Sequence, residues 1–323
     1  MLSILKNKWL AITLVLISII LPFVINNSYY LHLIIMGYIW AIAVYGLNLI
    51  LGYCGQTSLG HAGFVGIGAY TAGILNLKAG LPFWSGLVLG CLFTALIGWL
   101  AGIVSLRTRG HSFSIFTLCV GVIIHVIITR WDDLTGGMNG LIGISRPEPI
   151  PFPFIGQISF NTMESQYFLV LFFLLATIFV VTRIVNSLIG RTLIAIKTSE
   201  ELAEVLGINV MRHKILAFVM ATFFAGLAGS LYAGYIQFLG PPLCSINMTF
   251  DLLLYLFVGG SGSIAGPLIG SLALSSLTES LQALQQYRMV IFGPILILVM
   301  IFFPRGLYGG YEVLRNKYRQ KYL

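Results

Sequence analysis

At 323 residues and a formal charge of +8, the chain is 58% hydrophobic and only 9% charged. Soluble domains carry about a quarter charged residues, so this composition excludes a soluble fold. The basic excess would suggest a nucleic-acid partner elsewhere; in so apolar a chain, the position of each Lys and Arg matters more than their sum.

Lys6 and Lys8 precede the first apolar run, Trp9–Ile25. No small-residue cleavage pattern follows at Pro22–Ser28, so the start is read as an uncleaved anchor. Runs free of Asp, Glu, Lys and Arg continue at Tyr30–Leu51, Leu81–Leu106, Ser112–Thr129, Tyr167–Thr182 and Ile215–Leu239. A membrane-spanning helix takes roughly 20 apolar residues, and these runs have that scale. Residues 62–77 make a further span, and 249–303 divide into three short ones near 249–259, 264–278 and 289–303. The sum is an all-α polytopic bundle of ten crossings, or eight if two glycine-broken segments are re-entrant. A single transmembrane domain is expected over residues 1–323.

Charge orients the bundle. The gap at 107–111 holds Arg107 and Arg109; that at 183–214 holds Arg183, Arg191, Lys197, Arg212 and Lys214; the tail holds Arg305, Arg315, Lys317, Arg319 and Lys321. With the Lys6 and Lys8 start, these regions belong in the cytoplasm by the positive-inside rule, which puts both termini there. The 130–166 gap balances Arg130 and Arg146 against Asp132, Asp133, Glu148 and Glu164 and carries four prolines, 147, 149, 151 and 153. It reads as the external loop, and the uncharged 242–247 gap fits the same side.

Two stretches break the apolar pattern: Gly52–His61 (GYCGQTSLGH) and Gly259–Pro267 (GGSGSIAGP). Unpaired backbone cannot face lipid, so such breaks are either tight loops at the surface or irregular segments lining a substrate path. Gly86, Gly90, Thr94, Gly98 and Gly102 fall every fourth residue, as do Ala221, Ala225, Gly229 and Ala233. Small residues at that spacing let helices approach closely, within the subunit or at a subunit interface, and packing within the subunit is the reading favoured. Cys54, Cys91, Cys119 and Cys244 show no paired spacing and read as packing thiols.

Between the fifth and sixth runs, Thr198-Ser199-Glu200-Glu201 offers a capping box in which Thr198 caps and Glu201 reaches back. Leu202, Val205 and Leu206 then form an apolar face, and Gly207 ends the helix. An amphipathic helix of about two turns is expected over 199–207. It is marginal alone and calls for a docking partner, the bland alternative being a loop lying on the bilayer. Lys197-Thr198 follows Ile196 rather than a glycine, so no ATP-binding phosphate loop is present. No metal-ligand spacing and no nucleophile–base pattern occurs, so no catalytic, cofactor or metal residue is assigned. His32, His125, Lys78, Asp251 and Glu279 lie near span ends, Asp251 at an expected helix start; a proton- or sodium-coupled carrier would bury such groups mid-span.

Five blocks resemble the membrane subunit of bacterial ABC importers for branched-chain amino acids, its M-type permease more than its H-type partner. They are Gly46–Tyr70, Leu134–Leu141 (LTGGMNGL), Gly190–Asn209 with Gly190-Arg191, Ala195-Ile196 and Glu201–Gly207, Val258–Gly270, and Phe302–Tyr308. Leu202 stands where the coupling motif usually has its first Ala. The resemblance implies a type II-like permease in the bacterial plasma membrane, paired with a second permease, two cytoplasmic ATPases and an external binding protein. It implies neither a cofactor on this chain nor a nucleic-acid partner, ATP being used by the ATPases. Glu201, Glu204, Gly207 and Arg191 become the expected ATPase-coupling residues. Gln56, Thr57, Ser58, His61, Gly259 and Gly260 become the expected path lining, and Thr135, Gly136, Gly137 and Asn139 the expected dock for the binding protein. Urea, an amide or a sugar-like solute stays open as cargo; an ion-coupled carrier or channel is a more distant alternative.

Overall fold

A computed structural model describes residues 8–25, 27–106, 111–152 and 156–280, with isolated positions 293, 294, 306, 307 and 309. Lys6, Arg107 and Arg109 lie outside the described residues, as do the expected span 289–303, the basic tail from Arg305 and the 302–308 block apart from those isolated positions.

Helix α1 covers Lys8–Val24, and α2 covers Ser28–Leu47 and runs on as a π-helical stretch, Asn48–Tyr53. Next come α3 (His61–Leu77), α4 (Phe83–Ser105), α5 (His111–Arg130) and the single turn α6 (Asp132–Thr135). Short strands β1 (Leu141–Ile142), β2 (Ile150–Phe152) and β3 (Gly156–Ile158) follow. Then come α7 (Met163–Asn186), α8 (Leu188–Thr198), α9 (Glu200–Val205), α10 (Val210–Ile236), β4 (Phe238–Leu239), α11 (Ile246–Gly259) and α12 (Gly266–Ser280). Among the described residues, five helical stretches are long and apolar enough to cross a membrane: Ser28–Tyr53, Phe83–Ser105, Ser112–Arg130, Met163–Asn186 and Val210–Ile236. They match five of the charge-free runs, because in lipid the backbone must satisfy itself by helix formation.

Helix α10 is the centre of the bundle and packs against α4, α3 and α2. Both small-residue strips serve this packing. Gly86, Gly90, Thr94, Gly98 and Gly102 are the buried face of α4, while Val88, Leu92, Phe93, Leu96 and Leu100 on its other face are exposed. Ala221, Ala225, Gly229 and Ala233 of α10 are buried as well. A β-carbon on Gly90 would come within 2.9 Å of the Gly68 carbonyl, and one on Gly226 within 2.8 Å of Thr94 Cβ. Lipid tails are as apolar as Leu, so helices cohere by close van der Waals fit, and these glycines permit it. The intrasubunit reading of the strips therefore holds.

The helices run between two ends. One carries the acidic, proline-containing 130–166 segment and is called the loop end here; the other carries the basic 183–214 segment. At the loop end β1 pairs antiparallel with β4, with Leu141 opposite Leu239 and Ile142 opposite Phe238. His125 Nδ1 lies 3.2 Å from the Pro241 carbonyl, and Lys78 Nζ donates to the Asp133 carbonyl. The 242–247 gap is thus on the same side as the 130–166 loop, as its lack of charge predicts. Asp251 differs from expectation: α11 begins at Ile246 behind the Ser245 cap, so Asp251 is buried in the second turn rather than at the start. Ser245 accepts from the Met248 N–H and fills the role expected of the carboxylate.

Candidate coupling and transport site

At the basic end the chain turns sharply after α7. Ser187 is extended, with φ −82° and ψ 177°, and α8 starts at once. Gly190, Leu193 and Ile196 form the buried face of α8, leaving Arg191 exposed. Ser199, with φ −159° and ψ 116°, interrupts the helix and caps the next one, its hydroxyl accepting from the Leu202 N–H at 3.2 Å. This shifts the expected cap by one residue. Thr198 still belongs to α8, and its Oγ1 donates to the Ile194 carbonyl at 2.9 Å. With Ser199 as the cap, Leu202 takes the position a capping box gives to Glu. The Ser199 N–H is already bonded to the Ala195 carbonyl at 3.1 Å.

The end of α9 is as expected. Gly207 has φ +81°, its N–H donates to the Glu204 carbonyl at 2.9 Å, and the Ile208 N–H donates to the Ala203 carbonyl at 3.0 Å. This pair of bonds is a Schellman termination, which favours glycine because the left-handed backbone strains other residues. The helix is shorter than predicted, six residues, with Ala203 turned inward. Leu202, Val205 and Leu206 are 58%, 83% and 70% exposed, so the apolar face has no cover among the described residues. Glu201 and Glu204 are exposed beside it.

The two glycine-rich breaks meet each other and the α8–α9 segment. Asn48, in the π-helical stretch, accepts from the Gly262 N–H at 2.8 Å and donates to the Ser263 carbonyl at 2.8 Å. Tyr45 OH donates to the Ile264 carbonyl at 2.7 Å. Lys197 Nζ donates to the Gly52 carbonyl at 2.7 Å. Gln56 Nε2 donates to Glu200 Oε1 at 2.9 Å, and the same oxygen lies 2.6 Å from Lys214 Nζ. Lys214, near the start of α10, is 2% exposed. Deeper in the first break, Leu59 N–H donates to Thr117 Oγ1 and Ala62 N–H to Thr249 Oγ1. The irregular backbone is therefore satisfied by side chains of neighbouring helices, as membrane burial demands.

Residues 29–300 match the family described as branched-chain amino acid transport system / permease component. The chain belongs to that family. The high-affinity branched-chain amino acid transport system permease protein LivM of Salmonella typhimurium is 30% identical to it, over 94% of this chain and 76% of the relative. LivH of Escherichia coli is 25% identical over 86% of this chain and 94% of the relative. The L-arabinose ABC transporter permease protein AraH of Azospirillum brasilense is 26% identical over 77% and 72%. No solved structure matches the chain.

In this member of the family the expected path residues are scattered by environment. Gln56 is buried and bonded to Glu200, and Thr57 is half-buried. Ser58 and His61 are fully buried; His61 Nε2 lies 3.1 Å from the Ala43 carbonyl, whereas Ser58 Oγ and His61 Nδ1 have no hydrogen-bond partner among the described residues. Gly259 and Gly260 are buried against Gly266, Gly270 and Gly306. Of the expected dock, Thr135 and Gly137 are buried, Gly136 is half-buried, and Asn139 is exposed. Thr135 Oγ1 lies 2.6 Å and 2.7 Å from the Ile128 and Trp131 carbonyls and shapes the turn from within.

Sequence reasoning missed Asn48, Lys197, Glu200 and Lys214 as site residues. Asn48 was visible as a lone amide in an apolar run. The pairing of Glu200 with Lys214 was not, since both count in sequence only as charges of a basic gap.

Proposed function

We propose that this chain is a permease subunit of an ATP-driven importer of branched-chain amino acids in the bacterial plasma membrane. It provides part of the translocation path and is driven from the cytoplasm through α9. The carrying observation is a rigidly terminated short helix whose Leu202, Val205 and Leu206 lie uncovered while its base is bonded to the first helix break, which Asn48 ties to the second. Burying such side chains stabilises a contact by about 1.5–3 kcal/mol each, enough for a cytoplasmic ATPase to hold the helix in a groove. Glu201, Glu204 and Arg191 would frame that contact, and Gly207 would set its length.

The alternating direction of the helices between the two ends supports ten crossings once 289–303 is added, with both termini in the cytoplasm. Family membership that includes both LivM-like and LivH-like relatives supports pairing with a second permease. A binding protein outside would supply affinity for the cargo, with Asn139 on the surface it meets, and Gln56, Thr57, Ser58, His61, Gly259 and Gly260 would face the path in another state of the cycle. The AraH relative favours a sugar as second candidate cargo, but at lower identity and over less of the chain than LivM.

Uptake of labelled leucine into proteoliposomes holding this chain, its companion permease, the ATPases and the binding protein tests the reading. ATP-dependent leucine uptake is expected. Uptake by this chain alone, or ATP-dependent uptake of arabinose without leucine, overturns it.

A further inference from the structure

A six-residue helix cannot keep its own orientation, so whatever holds α9 decides where a push on it goes. Two side chains from the α8–α9 segment reach the first helix break. Lys197, in the last turn of α8, donates to the Gly52 carbonyl at 2.7 Å. Glu200, the first residue of α9, receives Gln56 and Lys214 on one oxygen, at 2.9 Å and 2.6 Å. The Gly52 carbonyl lies in the last turn of the π-helical stretch, which ends at Tyr53. The approach is close. Gly55 has φ +79°, and a β-carbon there would come within 2.9 Å of Lys197 Cγ. From the same stretch Asn48 holds the second break by two bonds, at Gly262 and Ser263. A β-carbon on Gly52 would come within 2.6 Å of the Gly262 N–H nitrogen.

We propose that Lys197, Glu200, Gln56 and Lys214 form a joint that converts movement of α9 into movement of the broken end of α2, and through Asn48 into movement of the 260–265 turn. The exposed carboxylates Glu201 and Glu204 face outward; Glu200 faces inward and is the positioning residue. Lys214 anchors the joint to α10, the central helix, so α9 pivots about a point fixed in the bundle. The proposal rests on the ATP-driven reading above.

The test uses the complete reconstituted complex and reads leucine taken up per ATP hydrolysed, normalised to assembled complex. Lys197→Met and Gln56→Ala each cut one tie without removing the buried Glu200–Lys214 pair. Lys197 lies outside the expected path lining, so its effect cannot come from altered lining. Each variant is expected to lower uptake per ATP about tenfold, the effect of losing one charge-assisted hydrogen bond at the lower end of its range. Lys197→Arg, which keeps the donor, is expected to restore it. A second readout is independent of cargo. Cys54 is fully buried beside the joint, and Cys119 is exposed. In a Cys119→Ser background, alkylation of Cys54 should speed up in Lys197→Met and return to the parent rate in Lys197→Arg. Unchanged uptake per ATP and unchanged Cys54 alkylation in assembled Lys197→Met and Gln56→Ala complexes would overturn the joint. So would fewer assembled complexes with normal uptake per ATP, which marks a structural role alone. A parent complex that hydrolyses ATP without importing leucine instead defeats the functional reading, and the alkylation rates then still decide the joint.

Discussion

The basic end and the loop end of the bundle both hold irregular backbone, but they secure it by different chemistry. At the basic end the bonds come from charged and amide side chains far apart in sequence: Lys197 to Gly52, Gln56 to Glu200, Glu200 to Lys214, and Asn48 to Gly262 and Ser263. At the loop end strand pairing is added to side-chain bonds such as Ser145 to Asn76, Trp84 to Glu148, and Arg146 to Gln237 and Asn161. β1 pairs with β4, β2 with β3, and Thr135 caps the carbonyls of its own neighbourhood. Backbone pairing is indifferent to most substitutions and resists motion. Side-chain ties break and form with small rotations, and strand pairing constrains the loop end in a way not found at the basic end among the described residues. That difference favours the basic end as the site of the proposed lever.

The strongest test of the contrast is Glu200→Gln. It leaves Lys214, 2% exposed, without its counter-charge, and breaking a buried pair in this way costs about 3–5 kcal/mol. Glu200 itself retains 24% exposure, so the lower figure is expected, read as a fall in the thermal unfolding midpoint of the purified protein in detergent. An unchanged midpoint would mean that the pair does not hold the basic end together. Thr135→Val probes the other end with a smaller effect. It removes a buried hydroxyl that satisfies local carbonyls and should cost about 1–3 kcal/mol of stability while leaving the Cys54 alkylation rate at the parent value. A change in that rate would show that the two ends are not separable. The smallest stability effect belongs to Val205→Lys, since the side chain is 83% exposed and surface changes of this kind stay within about 0.5 kcal/mol. Its consequence should appear in co-purification, where the variant permease loses its ATPase; retained ATPase at parent stoichiometry would remove α9 from that contact.

Much of the molecule was legible from residue order. The long spans followed from charge-free runs, because lipid permits little besides helix there. The placing of the 242–247 gap on the same side as the 130–166 loop also held, and so did Gly207 as a helix stop. The cap of α9 was misplaced by one residue because Thr198 and Ser199 are equally good caps in sequence. The choice went to Ser199 once Thr198 was drawn into the last turn of α8, whose buried face ends at Ile196. Asp251 was misplaced for a similar reason: Ser245 starts α11 earlier than the apolar run suggests.

By itself, then, the order of residues determined that the chain is a membrane helix bundle, which five long stretches form apolar helices of spanning length, which glycines and alanines pack, and that a short capped helix stands between α7 and α10. These are properties of neighbours along the chain and of the solvent they require. Only the tertiary structure decided that the two glycine-rich breaks touch, that Glu200 turns inward while Glu201 and Glu204 turn outward, and that a buried lysine on the central helix receives it. Such partners lie far apart in sequence, and a charge in a basic gap carries no mark of whether water or a distant amide will satisfy it.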